Sequence, residues 1–204
     1  MAEETAPSMT HLVEGVSVET FAAPDLVAVT PPKHGDDRGF LSETYSRERF
    51  ARLGIDIDFV QDNHTYSASK GTIRGLHFQI PPHAQGKLVR VVRGAILDVV
   101  VDIRHGSPAF GTATAVALSA DNWRQLYVPP GFAHGFCTLV DDTEVLYRMT
   151  AYYAPASDRG LAFDDPGLGI AWPVEPGAAI LSDKDRRHPR LADLPAHFAY
   201  GPSR

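Results

Sequence analysis

Lys87 to Asp102 reads KLVRVVRGAILDVVVD, two β-branched runs set about Arg93-Gly94. Leu88, Val89, Val91 and Val92 precede the pair, and Ile96, Val99, Val100 and Val101 follow it. Such runs read as strands, and Gly94 supplies the positive φ of a tight turn, so the stretch predicts a hairpin. Outward from it lie further strand-like runs, Phe59 to Tyr66, Thr112 to Leu118, Arg124 to Val128, Gly135 to Val140 and Glu144 to Tyr153, separated by Gly, Pro, Asp and Asn. Short strands so spaced predict an antiparallel sandwich or barrel. Its edges need concealment, and closure into a double-sheet jelly roll together with edge pairing in a dimer provides it. One short helix is expected, with Ser46 as N-cap, Phe50 and Leu53 on its apolar side and Gly54 ending it.

At the chain's two ends the patterning fades. Residues 1–15 are expected to form a flexible leader, because the first ten or so are polar without apolar periodicity. Residues 16–204 are then a single domain, the default for a chain of 204 residues. Pro166, Pro173, Pro176 and Pro189 predict an extended C-terminal tail with little regular structure. No apolar run reaches the roughly 18 residues of a membrane span, and the start lacks the plan of a signal peptide. A single cysteine, Cys137, forms no internal disulfide and reads as a small buried hydrophobe, which fits a reducing cytoplasm. The formal charge of −6 has the wrong sign for nucleic-acid binding, so any anionic ligand must be met by a local cluster of cations.

Three segments place titratable side chains where a sheet would otherwise want apolar ones. In Arg74-Gly75-Leu76-His77-Phe78-Gln79 the period of two puts His77 and Gln79 on one face and Leu76 and Phe78 on the other. Pro129-Pro130-Gly131-Phe132-Ala133-His134 is a turn feeding a strand that carries His134. In Glu144 to Tyr153, Tyr147, Met149, Ala151 and Tyr153 share a face. A polar face inside a barrel implies a cavity.

Pro-x-Gly-x-x-His in Pro129 to His134 resembles the second motif of the cupin superfamily, with Arg74 to His77 where the first belongs. More closely, the chain resembles the dTDP-4-dehydrorhamnose 3,5-epimerases. The resemblance runs through Asp37-Arg38-Gly39-Phe40, Gln61-Asp62-Asn63-His64, Arg74-Gly75-Leu76-His77, Gln85-Gly86-Lys87, Val101-Asp102-Ile103-Arg104, Gly131 to Phe136, Tyr147 and Leu181-Ser182-Asp183-Lys184-Asp185, about three quarters of the chain. It implies an all-β jelly roll (cupin, a double-stranded β-helix) with a few short helices. The implied protein is a cytoplasmic isomerase that inverts C3 and C5 of a dTDP-4-keto-6-deoxy sugar without cofactor or metal, as a homodimer with shared active sites.

The resemblance also assigns roles. His77 is the base, Asp185 its dyad carboxylate, Tyr147 the proton donor on the opposite face, and Lys87 the partner of the C4 oxyanion. Arg38, Arg74 and Lys184 match positions around the diphosphate and nucleotide, with Glu43, Gln61 and Asn63 nearby. Tyr153 matches a residue that stacks on thymine, and His134 a sugar-site histidine. Asp158 stands where the family generally has Glu, a shorter reach toward the sugar. Read without the family, a histidine on a strand is commonly structural, Tyr147 a packing aromatic, and Lys87, Arg38 and Arg74 solvated cations. Three alternatives stand beside the double epimerase. One is a metal cupin using His77, Gln79, His83 and His134, although Gln is a weak transition-metal ligand. The others are a relative that epimerises C3 only or C5 only or is a ketoisomerase moving the carbonyl between C3 and C4, and a sugar-nucleotide-binding cupin without turnover.

Overall fold

Short strands with apolar residues on alternate positions bury them by stacking two sheets. The computed structural model describes residues 4–201 and has that form. Among the described residues the strands are β1 (Met9–Val13), β2 (Val16–Thr20), β3 (Val27–Thr30), β4 (His34–Asp36), β5 (Gly39–Leu41), β6 (Gln61–Ser67), β7 (Ile73–Gln79), β8 (Lys87–Arg93), β9 (Ala95–Asp102), β10 (Arg104–His105), β11 (Ala113–Ser119), β12 (Gln125–Val128), β13 (Phe132–Thr138), β14 (Thr143–Met149), β15 (Asp158–Gly160) and β16 (Phe198–Ala199). A seven-stranded sheet has the order β1-β2-β3-β12-β8-β14-β6, and a five-stranded sheet β11-β9-β13-β7-β15. Together they make the jelly roll of the cupin type. No described helix is long and apolar enough to cross a membrane.

Three apolar layers hold the sheets. Between them, Val89, Val91, Leu126 and Val145 of one sheet meet Ile96, Val100, Val116, Leu118 and Phe136 of the other. The outer face of the five-stranded sheet (Leu76, Phe78, Val99, Val101) is covered by Leu161, Leu168, Trp172, Leu191 and Phe198 of the tail. This tail is extended, with short 3-10 turns closed by local backbone hydrogen bonds such as Leu168 N–H to the Asp165 carbonyl at 3.1 Å, and it rests on the sheet beneath it. The outer face of the seven-stranded sheet packs on α1 (Arg47–Arg52) and its flanks through Phe50, Ile55, Tyr45 and Phe59. Ser46 caps α1 as expected, its hydroxyl accepting from the Arg49 N–H at 3.4 Å.

Two expectations need correction. The run Lys87 to Asp102 is not a hairpin: β8 pairs with β12 and β14, whereas β9 pairs with β11 and β13. Both strands are buried on two sides, and the chain turns a corner from one sheet into the other, which alternation and a turn glycine alone do not distinguish from a hairpin. Gly94 makes that corner at φ +77°, where an added Cβ would stand 2.5 Å from Thr143 Oγ1. The expected leader of residues 1–15 carries a strand, β1, antiparallel to β2 from Met9↔Thr20 to Val13↔Val16. Backbone hydrogen bonds hold it while Met9 and Leu12 stay exposed, so no burial pattern marks it in the sequence. Thr5 also bonds Ala115 through backbone and hydroxyl. Residues 1–3 lie outside the described residues.

The corner generates a stability prediction. Gly94→Ala adds a methyl in a left-handed conformation and against Thr143, and is expected to lower unfolding free energy by roughly 2–4 kcal/mol in urea titrations. A loss under ~0.5 kcal/mol would mean that the corner tolerates a side chain.

Candidate active site

Side chains of both sheets and of the tail line a cleft of about 430 Å³, among them His77, Lys87, His134, Tyr147, Lys184 and Asp185. A second lobe of about 290 Å³ shares four of these residues and adds Asn63, Tyr153 and Asp158. Together they have the size of a site for a small organic ligand. His77 enters from β7 in the five-stranded sheet and Tyr147 from β14 in the seven-stranded sheet. The imidazole and the phenol therefore come from facing walls.

Asp185 is delivered by the tail, at the start of a 3-10 turn whose Asp185 N–H donates to Ser182 Oγ at 3.2 Å. Its Oδ1 lies 2.6 Å from His77 Nε2. Burial alone would raise the Asp185 carboxyl, but contacts from His188, His77 and Ser182 and the charge of His77 outweigh it and hold the group well below the usual carboxylate range. An ionised carboxylate only accepts, so the hydrogen is assigned to Nε2 and the lone pair to Nδ1. The His188 ring packs edge-on to His77, with Nε2 3.4 Å from the same Asp185 oxygen, a close electrostatic contact without hydrogen-bond geometry. Gly160, paired with His77, leaves the His188 ring its space: a Cβ there would stand 2.3 Å from the His188 ring.

Lys87 begins β8 and is buried, its Nζ donating to the His77 carbonyl at 3.1 Å and lying 3.4 Å from His134 Nδ1. Burial pushes its ammonium down to about 8, opposed by the charges of Asp98 and Asp158. His134 is lowered, first by burial, and its Nε2 lies 3.0 Å from the buried Asp98. Tyr147, opposite Asn63 on β6, is raised chiefly by burial, against a hydrogen bond with Asn63 and the charge of Arg74.

Around this centre, Arg74 lines the cleft and is steadied by Ser67 Oγ at 3.2 Å and the Tyr66 carbonyl at 2.9 Å. Gln61 donates to Asn63 Oδ1 at 2.9 Å and accepts from the Tyr153 N–H at 3.0 Å. Asp158 accepts from the Tyr153 hydroxyl at 3.0 Å and pairs with Lys184. Tyr153 lies beyond the end of β14, because Thr150 and Ala151 bond Gly86 and Gln85 instead of a neighbouring strand. The fold does not bring Arg38 or Glu43 to the cleft. Arg38 stands 90% exposed on the β4–β5 hairpin beside Asp36, and Glu43 pairs with Arg49 at 3.3 Å.

Asp98, His188 and Ser182 complete the site and were not singled out from the sequence. Asp98 had a signal, a lone acid within AILDVVV; His188 had none beyond its spacing of three from Asp185. The metal-cupin set does not assemble around Gln79. Its amide donates to the His83 and Tyr152 carbonyls and accepts from the Ala154 N–H, so it pins backbone. His77, Asp185 and His188 do bring ligand-type atoms within 4.8 Å of one another. However, the 2.6 Å between His77 and Asp185 is a hydrogen bond, shorter than the roughly 3.4 Å edge of a tetrahedral zinc site.

A jelly roll whose cleft carries titratable side chains on facing walls has the form of a cupin-type isomerase. A family model described as dTDP-4-dehydrorhamnose 3,5-epimerase matches residues 20–193. The dTDP-4-dehydrorhamnose 3,5-epimerase of Sinorhizobium fredii is 47% identical over 182 residues, 89% of this chain and 93% of that one. The crystal structure of the Bacillus anthracis enzyme with TDP and PPi bound is 50% identical with a TM-score of 0.83, covering 86% of this chain and 99% of that one. The Legionella pneumophila dTDP-6-deoxy-D-glucose-3,5-epimerase, in complex with dTDP-4-keto-L-rhamnose, is 40% identical with a TM-score of 0.86, covering 91% and 99%. This chain belongs to the dTDP-4-dehydrorhamnose 3,5-epimerase family.

The depressed Lys87 value makes a linkage prediction. Between about 8 and the ordinary 10.5, the unfolded chain holds a proton that the folded chain has released, so this group makes stability rise with pH across that window. Lys87→Met is expected to remove that rise relative to wild type when urea midpoints are compared from pH 7.5 to pH 10. Parallel curves would contradict the assignment.

Proposed function

We propose that this chain inverts C3 and C5 of dTDP-4-dehydro-6-deoxy-D-glucose, giving dTDP-4-dehydro-L-rhamnose for dTDP-rhamnose biosynthesis. The observation that carries the reading is the placement of His77 and Tyr147 on facing sheets of one cleft. The C4 ketone acidifies both neighbouring C–H bonds by delocalising the carbanion into an enolate. His77 Nδ1 takes the proton, and the Asp185 carboxylate stabilises the resulting imidazolium. Lys87 meets the oxygen on which negative charge grows, a contact strengthened by its exclusion from water. Tyr147 returns a proton to the other face. Its raised pKa makes it a weaker acid, which the strong basicity of an enolate offsets. Once His77 has released its proton to water and Tyr147 has regained one, the same cycle at the second carbon completes the double inversion.

Arg74 and Lys184 supply the cations that an overall acidic chain needs for a diphosphate, with Tyr153 offering a ring to the base. Arg38 and Glu43, outside the chain's own cleft, serve a neighbour's site in a homodimer with shared active sites, working in the cytoplasm. Light scattering at a dimer mass is the expected outcome.

Two measurements test the reading. In heavy water, wild-type enzyme is expected to place deuterium at both C3 and C5 of an L-lyxo product; label at one carbon would make it a mono-epimerase. His77→Asn is expected to lower kcat by roughly 10²–10⁴-fold while dTDP binding by calorimetry changes less than about threefold. Turnover surviving that change would remove His77 as the base.

A further inference from the structure

Asp98 is 0% exposed in β9, on the face that Ile96 and Val100 turn toward the core between the sheets. An apolar residue is the ordinary occupant of such a position, and a carboxylate there is costly to desolvate. Only part of that cost is met: Oδ2 lies 3.0 Å from His134 Nε2, whereas Oδ1 has no hydrogen-bond partner among the described residues. His134 is buried too, and its other nitrogen lies 3.4 Å from Lys87 Nζ. The carboxylate only accepts, so Nε2 carries hydrogen, and the neutral ring turns its Nδ1 lone pair to the ammonium. A buried anion, an imidazole and a buried cation thus form one line from β9 through β13 to β8.

We propose that Asp98 is a positioning residue for the epimerisation, fixing the tautomer of His134 and through it holding the Lys87 ammonium where the C4 oxyanion forms. The proposal rests on the reading of Lys87 as the oxyanion partner. Lys87 is faced by His77 on β7, Asp98 on β9, His134 on β13, Tyr147 on β14, Asp158 on β15, and Lys184 and Asp185 of the tail. Of the acids among these, Asp158 already pairs with Lys184 and Asp185 with His77, which leaves Asp98 as the carboxylate committed to the lysine's side of the cleft. A buried carboxylate behind a histidine is a recurrent way to fix which ring nitrogen carries the proton.

The test compares Asp98→Asn with wild type and with Lys87→Met, following kcat and KM from pH 6 to pH 9.5. In Asp98→Asn we expect kcat at neutral pH to fall at least tenfold, KM to change less than threefold, and the alkaline limb of kcat to move to lower pH, because Lys87 loses the charge that keeps it protonated. A purely structural Asp98 would lower the melting temperature and leave the limb in place, and that result overturns the proposal. If Lys87→Met keeps turnover, the oxyanion reading itself fails, and Asp98 with it. If Lys87→Met abolishes turnover while Asp98→Asn leaves limb and kcat unchanged, the positioning role alone fails. Nitrogen-15 NMR of the wild-type His134 ring needs no variant: Nε2–H with unprotonated Nδ1 is expected at neutral pH, and the opposite tautomer refutes the line.

Discussion

The hydrogen bond between His77 and Asp185 ties the architecture to the chemistry. It joins a strand of the five-stranded sheet to a tail with almost no regular structure of its own. The tail reaches that point because the buried Leu161 and Leu168 and the half-buried Trp172 and Leu191 pack against the back of the same sheet. Apolar burial on one face therefore supplies the precision with which a carboxylate is presented at the cleft. A ring fixed by packing before substrate arrives needs little reorganisation to act as the proposed base.

The second constraint is the sheet change at Gly94. Because β8 and β9 leave that corner in different sheets, Lys87 and Asp98 approach the site from opposing walls, and His134 spans the distance between them. A hairpin would have placed both residues in one sheet. The wall opposite His77 then carries Tyr147, so the architecture that closes the core also separates the proposed proton acceptor from the proposed donor. Inversion of a carbon centre needs that separation.

How much of this the sequence shows differs by element. The strands β8, β9, β11, β12, β13 and β14 are visible because their apolar residues recur at the spacing that burial imposes. The Ser46 cap and Gly54 mark α1 in the same way. The partnering of β8 and β9 is not visible, since alternation reports which faces are buried and not which strand lies alongside. β1 is invisible because main-chain bonding, which carries no side-chain signature, holds it. In the site, the motifs around His77, His134 and Lys184-Asp185 announce titratable groups, but the pairings His134–Asp98 and His188–Asp185 join residues far apart in sequence or buried by the tail. Arg38 and Glu43 are legible as motif residues, yet one chain leaves them away from the cleft.

The central claim is that a base and an acid act on opposite faces of one sugar. Tyr147→Phe, incubated with the 4-keto sugar nucleotide in heavy water, tests it most directly. With the acid gone and the 33% exposed His77 still able to trade its proton with solvent, the account predicts deuterium entering beside the ketone with the original configuration kept. Inverted product formed at the wild-type rate would contradict it, as would loss of exchange together with loss of inversion in a folded variant.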